Sequence, residues 1–205
     1  MRTKHWILLS ILIVKILVNK KLTGKRRKIT EGQSETAARS ANYLIRQRIM
    51  TIRRASEKDI PRINHLLFQV HKVHSDKRPD IFRCGNKKYN DEELLAIIKN
   101  DSTPIYVAVD DTDTVLGYAF CIHQITKGDT SLADRRVLYI DDLCVDEECR
   151  GGHIGTKLCD YVMETAKTEG FDTVTLNVWC LNETAMKFYE KCGFSPLKIY
   201  MEKFI

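Results

Sequence analysis

The chain has 205 residues, of which 43% are hydrophobic and 29% are charged, and its formal net charge is +6 at pH 7. This composition is typical of a folded globular protein and excludes a fully disordered or fibrous chain. Residues 1–49 carry 12 basic and 2 acidic residues, whereas residues 50–205 carry 21 basic and 25 acidic residues. The main part of the chain is therefore mildly acidic, which argues against nucleic-acid binding by a basic face.

The seven cysteines are odd in number and include no Cys-x-x-Cys pair. Several lie inside apolar runs, so we expect reduced, mostly buried thiols of a cytoplasmic protein rather than a disulfide-bonded fold. Without paired ligand spacing, we expect no metal site.

The N-terminal leader contains an apolar run, WILLSILIVKILV, at residues 6–18. A helix needs about 20 apolar residues to span a bilayer, so this run is short. The lysines and arginines of residues 20–28 favour an anionic membrane surface, and the sequence after the run offers no small-residue cleavage site. Two interpretations stay open: residues 1–28 associate with a membrane, or residues 1–49 are not part of the functional domain, which begins at Met50.

The first predicted elements after the leader are a strand and two helices. Residues 50–55 form the strand, and Ser56, with Asp59 three residues later, has the pattern that begins a helix. Apolar residues then recur at helical spacing. A second helix begins at Asn90 or Asp91.

The middle of the chain predicts three more strands. Residues 104–111 and 114–125 are separated by a short polar turn, which predicts a hairpin. Residues 137–145 form a further strand, and a helix that Gly170 ends follows it. Residues 171–180 form the next strand.

The last predicted helix begins at Asn182, runs to about Cys192 and ends at Gly193, and a final strand or hairpin closes the chain. Because helices alternate with strands, the predicted fold class is α/β or α+β, with helices flanking a mixed sheet.

The segment CRGGHIGTKL (residues 149–158) lies between a predicted strand and a predicted helix. The first N–H groups of a helix lack partners and favour an anion. Glycines let an anion reach those groups, and Arg150 adds positive charge, so the segment predicts a phosphate or pyrophosphate site. It is neither a P-loop nor a dinucleotide fingerprint. The alternative is a tight turn that binds no ligand.

Two motifs in the second half resemble the GNAT superfamily of acetyl-CoA-dependent N-acyltransferases. One is LCV at residues 143–145 followed by RGGHIG at residues 150–155, and the other is NVWCLNETAMKFYEKCGF at residues 177–194. The resemblance extends over about residues 51–205. One position departs from the pattern, because His153 stands where the family most often has glycine.

The resemblance implies a GNAT fold, a mostly antiparallel sheet splayed in its middle, with acetyl-CoA as the acyl donor and no metal. The main chain of residues 143–145 would pair with the pantetheine arm, residues 150–156 would hold the pyrophosphate, and Asn182 would contact the arm while capping its helix. The residues so implied in cofactor binding are Leu143, Cys144, Val145, Arg150, Gly151, Gly152, His153, Ile154, Gly155, Thr156 and Asn182.

The resemblance also implies catalytic roles. Tyr189 would be the general acid that protonates the departing CoA thiolate. Asp141 or Asp142 is the candidate base, with a slight preference for Asp142, and a β-bulge at this point would decide which side chain faces the cleft. Some family members use a glutamate on the next strand, but this chain has Asn177 at that position.

These features predict acetyl transfer to a primary amine by direct attack in a ternary complex. The acidic domain favours a small cationic amine, and a protein N-terminus or lysine is the alternative acceptor. His153 leaves open a module that binds acyl-CoA without turnover. The resemblance places acceptor specificity at about residues 68–93. The sequence leaves homodimer formation open.

Overall fold

The computed structural model describes residues 50–205. The predictions about the leader, including membrane association through residues 1–28, lie outside the described residues. Among the described residues, no helix is long and apolar enough to cross a membrane.

The first elements begin where the sequence predicts. They are β1 (Thr51–Arg54), a 3-10 turn (Glu57–Asp59), α1 (Ile60–Ser75) and α2 (Asp91–Lys99). The Ser56 backbone N–H donates a hydrogen bond of 2.8 Å to the Asp59 carboxylate, which leads the chain into α1. The Asn90 side-chain oxygen accepts a hydrogen bond of 2.8 Å from the Glu93 N–H and so caps α2.

The later elements alternate between the sheet and the helices that cover it. They are β2 (Ile105–Val109), β3 (Val115–Thr126), β4 (Arg135–Val145), α3 (Ile154–Thr168), β5 (Thr173–Leu176) and α4 (Glu183–Lys191). The predicted hairpin is confirmed, because β2 and β3 pair in an antiparallel ladder.

The five strands found within residues 50–205 form one sheet in the order β1-β2-β3-β4-β5. All neighbours are antiparallel except β4 and β5, which are parallel, so the predicted mixed, mostly antiparallel sheet is confirmed. The pairing of β4 with β5 ends at Ile140 and Leu176, although β4 itself continues to Val145. The sheet is therefore splayed from Asp141 onward, as expected.

Each face of the sheet carries its own apolar core. Helices α1 and α2 cover one face, where Ile63, Leu66 and Leu94 are fully buried. Helix α3 covers the other face through Leu158 and Val162. Because both faces are covered, β2 is buried along its whole length.

The predicted closing strand or hairpin is wrong. In the described structure, no strand follows α4, and residues 195–205 are exposed. Arg78 contacts two side chains of this tail. Its guanidinium donates to the Glu202 carboxylate at 3.0 Å and lies 5.9 Å from the Phe204 ring centroid. The tail therefore has side-chain contacts with Arg78 but no backbone ladder.

The seven cysteines are all free thiols. Only Cys121, Cys144 and Cys159 are buried, while Cys84 and Cys180 are exposed. The expectation that most of the thiols are buried is wrong, because the loops that carry the exposed pair lie at the surface, and the expectation that they are reduced stays a prediction.

Candidate active site

A β-bulge lies in β4 where the sheet begins to splay. Phe120 of β3 pairs with Asp142, but the next residue, Cys121, pairs with Ile140. Asp141 is therefore the extra residue of the bulge. The bulge directs Asp141 and Asp142 to different partners, which the sequence left undecided.

Asp142 is half-buried and lies against a fully buried tyrosine. The buried Tyr118 hydroxyl donates to it at 2.9 Å. Burial, which disfavours the charged carboxylate, raises the pKa of Asp142 from 3.8 to about 6. This side chain can therefore exchange a proton near neutral pH.

Asp141 instead accepts two hydrogen bonds from the loop between α1 and α2. The Lys88 ammonium lies 2.6 Å from its carboxylate, and the Tyr89 hydroxyl donates at 2.9 Å. Burial opposes the charge of Lys88, but the hydrogen bond and the charge of Asp141 raise the Lys88 pKa overall. Asp141 is thus one half of an ion pair.

Tyr189 lies on α4 and is half-buried. Burial, followed by the nearby charge of Asp142, raises the pKa of Tyr189 far above its usual value. Its ring packs edge-on against Phe188 and Phe194, with centroids 5.0 and 5.8 Å apart. The phenol therefore holds its proton throughout the physiological pH range and can act as a donor.

The glycine loop (residues 150–155) turns the chain from β4 into α3. Gly151 has φ of +82°, and His153 also adopts a left-handed conformation, with φ of +58°. Arg150 Nε donates to the Val145 carbonyl at 3.3 Å, which ties the loop to the end of β4. The first turn of α3 carries no acidic residue, so its N–H groups present a partial positive charge to an anion.

Gly155 serves the packing of two helices. An added Cβ would lie 3.3 Å from the Phe188 ring of α4. Gly155 therefore allows α3 and α4 to approach closely, whether or not its N–H contacts a ligand. Gly152 is buried in the loop, and Thr156 is half-buried in the first turn of α3.

The predicted pantetheine segment, residues 143–145, lies beyond the last residue pair between β4 and β5. The Cys144 thiol faces the core, where it donates to the Leu66 carbonyl at 3.6 Å, and burial raises its pKa to about 12. The main chain of this segment is thus the part suited to a ligand, and the Cys144 side chain is a poor nucleophile.

Two asparagines, Asn177 and Asn182, precede the first residue of α4. The Asn182 side-chain oxygen accepts a hydrogen bond of 3.3 Å from the Ala185 N–H, which confirms its capping role. The Asn177 side-chain amide donates to the Tyr139 hydroxyl at 3.0 Å. Contact of Asn182 with a cofactor stays a prediction.

Sequence reasoning missed the residues that surround the carboxylates, Tyr118, Lys88 and Tyr89. Tyr89 lies 52 residues before Asp141 in the chain, and no spacing rule connects them. The one available signal for Lys88 and Tyr89 was their position in the loop between α1 and α2, which the family resemblance assigns to acceptor specificity.

An aromatic cluster adjoins the same loop and was also missed. The Phe82 ring stacks on His74 with centroids 5.2 Å apart and meets Trp179 edge-on at 5.3 Å. Within residues 50–205, no group of three or more His, Cys, Asp or Glu side chains is arranged to hold a metal ion.

Comparison with known proteins places this chain in a family. The model of the Acetyltransferase (GNAT) family matches residues 69–194. The chain therefore belongs to the GNAT acetyltransferase family. A solved variant of the BH1408 protein from Bacillus halodurans is 30% identical and has a TM-score of 0.73, over 76% of this chain and 99% of that one.

Curated relatives match shorter parts of the chain. N-alpha-acetyltransferase 30 of Schizosaccharomyces pombe is 33% identical over 45% of this chain and 58% of its own length. An uncharacterized N-acetyltransferase of Methanocaldococcus jannaschii is 28% identical over 73% of this chain and 62% of its own. The chain thus spans less than two thirds of the length of these curated relatives.

Proposed function

We propose that this protein transfers the acetyl group of acetyl-CoA to a primary amine by direct attack in a ternary complex. One observation carries the proposal: β4 leaves β5 after Ile140, and the two carboxylates lie at the next two residues, Asp141 and Asp142. Either carboxylate could accept a proton beside an opened sheet, where an extended ligand would pair with the β4 main chain.

The residues present fit acetyl-CoA as the donor substrate. The main chain of residues 143–145 would pair with the pantetheine arm. The N–H groups of residues 150–156 would bind the pyrophosphate, because they combine a helix N-terminus with a left-handed glycine at Gly151. Arg150 would add a positive charge, and Asn182 would contact the arm.

Asp142 would act as the general base. With a pKa of about 6, it is mostly ionised at pH 7 and basic enough to take a proton from an ammonium, directly or through water. The neutral amine then attacks the thioester carbonyl, the C–N bond forms and the C–S bond breaks. The attacking nitrogen releases its second proton, which replaces the proton that the leaving thiolate takes.

Tyr189 would be the donor to the leaving group. Its raised pKa keeps the hydroxyl protonated, so it can hydrogen-bond to and protonate the CoA thiolate as the C–S bond breaks. Asp142 of β4 would thus take a proton from the amine, and Tyr189 of α4 would give one to the thiolate.

A small cationic amine is the acceptor that the charges support best. Asp141 already holds an ammonium, that of Lys88, at 2.6 Å. A substrate ammonium can make the same contact beside the base, while the aromatic cluster of His74, Phe82 and Trp179 offers an apolar wall. A protein N-terminus is the second candidate, favoured by the similarity to N-alpha-acetyltransferase 30.

The test is release of CoA thiol by the full-length chain. Acetyl-CoA is supplied with separate panels of small diamines and polyamines, peptides with free N-termini, and N-terminally blocked lysine peptides. Turnover with the first panel supports the proposed acceptor, and turnover only with a peptide panel replaces it. Acetyl-CoA binding without thiol release from any amine would contradict the proposed enzyme and indicate an acyl-CoA-binding module.

A further inference from the structure

Lys88 of this protein occupies the place that an acceptor amine would need. It lies in the loop between α1 and α2, and its Nζ is 2.6 Å from the Asp141 carboxylate at the β4 bulge. Its ammonium also interacts electrostatically with Asp142. A primary amine of the chain itself is therefore held against Asp141, next in sequence to the candidate base.

The position of Lys88 beside the opened sheet would bring its amine near the thioester of a bound donor. The thioester of a donor that pairs with residues 143–145 would lie near the bulge, because the pairing segment begins directly after Asp142. The Lys88 side chain is partly exposed, at 43%, and its long aliphatic stem gives the amine freedom to move from Asp141 toward the donor.

We propose that Lys88 is a self-acetylation site, at which the protein transfers an acetyl group from acetyl-CoA to its own ε-amine when no acceptor is bound. This inference rests on the proposed function. The ammonium loses one proton to the carboxylate pair, the neutral amine attacks the thioester carbonyl, the C–N bond forms and the C–S bond breaks. The CoA thiolate takes a proton from Tyr189, and the second proton of the attacking nitrogen passes to the Tyr189 oxygen, directly or through water, which leaves a neutral amide and a protonated tyrosine.

Acetylation would change the site as well as mark it. The product is a neutral amide, so Asp141 loses its ammonium partner and keeps the hydrogen bond from Tyr89. The unpaired Asp141 carboxylate would then be open to the ammonium of an incoming acceptor. Self-acetylation would thus lower the acceptor KM.

The neighbouring Lys87 is a matched control within the same loop. Its ammonium donates to Asn64 at 2.6 Å and to Asp91 at 2.8 Å, at the start of α2. Lys87 and Lys88 are neighbours in the same loop, but only Lys88 of the two contacts the carboxylate pair, through Asp141. Local reactivity of the loop would modify both, whereas catalysis at the carboxylates would modify Lys88.

The experiment incubates the full-length chain with acetyl-CoA and no acceptor. Intact mass spectrometry follows addition of one acetyl group, hydroxylamine removes acetyl groups from cysteine thiols, and peptide mapping locates the remaining amide. We expect one acetyl group per chain at Lys88, with a rate per chain that does not depend on protein concentration. Lys88→Arg should abolish it, Lys87→Arg should leave it unchanged, and Tyr189→Phe should slow it.

Five outcomes would overturn the inference. Equal acetylation of Lys87 and other surface lysines, or the same labelling in heat-unfolded protein, would show non-enzymatic chemistry. A rate per chain that rises with protein concentration would show transfer between copies. If the same sample acetylates added amines while Lys88 stays unmodified, the inference is wrong and the proposed function is unaffected. If neither reaction occurs, the proposed function is contradicted as well.

Discussion

The glycine loop (residues 150–155) and the carboxylate pair (Asp141 and Asp142) lie only a few residues apart in the chain, yet they are built differently. The loop is shaped by its own backbone, with left-handed conformations at Gly151 and His153. The pair is defined by side chains from elsewhere: Tyr118 lies 24 residues from Asp142, and Lys88 lies 53 residues from Asp141.

This difference separates two kinds of function. A main-chain site can bind a phosphate with almost any side chains, because its donors are N–H groups of a loop and a helix N-terminus. A proton-transfer site depends on the pKa of one side chain, which burial and neighbouring groups set. Substitutions in the loop should therefore affect binding and stability modestly, whereas substitutions at the pair should affect the chemistry strongly.

The largest effect is expected for Asp142→Asn. Loss of a general base costs about 10²- to 10⁴-fold in rate, so kcat with the best amine should fall by at least about 100-fold. The wild-type kcat/KM should also fall below the Asp142 pKa of about 6, since protonation removes the base. Steady-state kinetics across pH measure both.

Asp141→Asn is the matched comparison for Asp142→Asn. Because Asp141 is the ammonium-binding member of the pair, its loss should act mainly on the acceptor KM. A larger fall in kcat for Asp141→Asn than for Asp142→Asn would reverse the two roles.

Tyr189→Phe should lower kcat by about 100-fold, the lower end of the range for a lost general acid, because no hydroxyl then protonates the thiolate. The Kd for acetyl-CoA should change little. Tyr161→Phe is the control, since Tyr161 packs edge-on against Tyr106 with centroids 5.1 Å apart and lies on α3. Equal losses in the two variants would indicate a packing role for Tyr189.

Asp142 should also affect stability as pH changes. Its pKa is higher in the folded state, about 6, than the ordinary 3.8, so its ionisation destabilises the fold as pH rises through that interval. Asp142→Asn lacks this penalty. Its free energy of unfolding relative to wild type should therefore rise between about pH 4 and about pH 7, by at most about 3 kcal/mol. Urea unfolding at both pH values measures the difference, and a constant difference would contradict the raised pKa.

Gly151→Ala tests the loop with a smaller effect. Open space surrounds the position, so the cost is conformational, about 1–2 kcal/mol for a left-handed residue with a Cβ. Thermal unfolding should show this loss, and the kcat at saturating acetyl-CoA should change much less than in Asp142→Asn. A loss of kcat as large as that of Asp142→Asn would erase the distinction between the two regions.

His153→Gly should have the smallest effect. The left-handed conformation at φ of +58° strains histidine more than glycine, while glycine loses more backbone entropy on folding, so the gain in stability should be about 1 kcal/mol or less. The Kd for acetyl-CoA decides the role of the imidazole. A tighter Kd in the variant shows that the imidazole crowds the phosphates, and a weaker one shows that it helps to bind them.

The sequence predicted the features whose causes are local. The starts of α1, α2 and α4 follow from capping residues such as Asn90 and Asn182, and the hairpin of β2 and β3 follows from its turn. The order of helices and strands then gave the fold class. The glycine loop was found because left-handed backbone conformations favour particular residue types.

The features that the sequence did not predict depend on distant contacts. The bulge at Asp141 arises from the register in which β4 pairs with β3. Lys88 and Tyr89 reach the site only through tertiary packing. The predicted closing strand was also wrong, because residues 195–205 have no backbone partner among the described strands, and a strand depends on its neighbours more than on its own sequence.

The most direct test of the central claim, that the opened sheet and the glycine loop bind one acetyl-CoA molecule, is thermal unfolding of the full-length chain with and without that ligand. At 100 times the Kd, a bound ligand stabilises by about 2.7 kcal/mol, which raises Tm by several degrees. We predict such a shift with acetyl-CoA and none with ATP or NAD at the same concentration. An unchanged Tm with acetyl-CoA, in a protein that unfolds cooperatively, would show that the loop is only a turn and would contradict the proposed function.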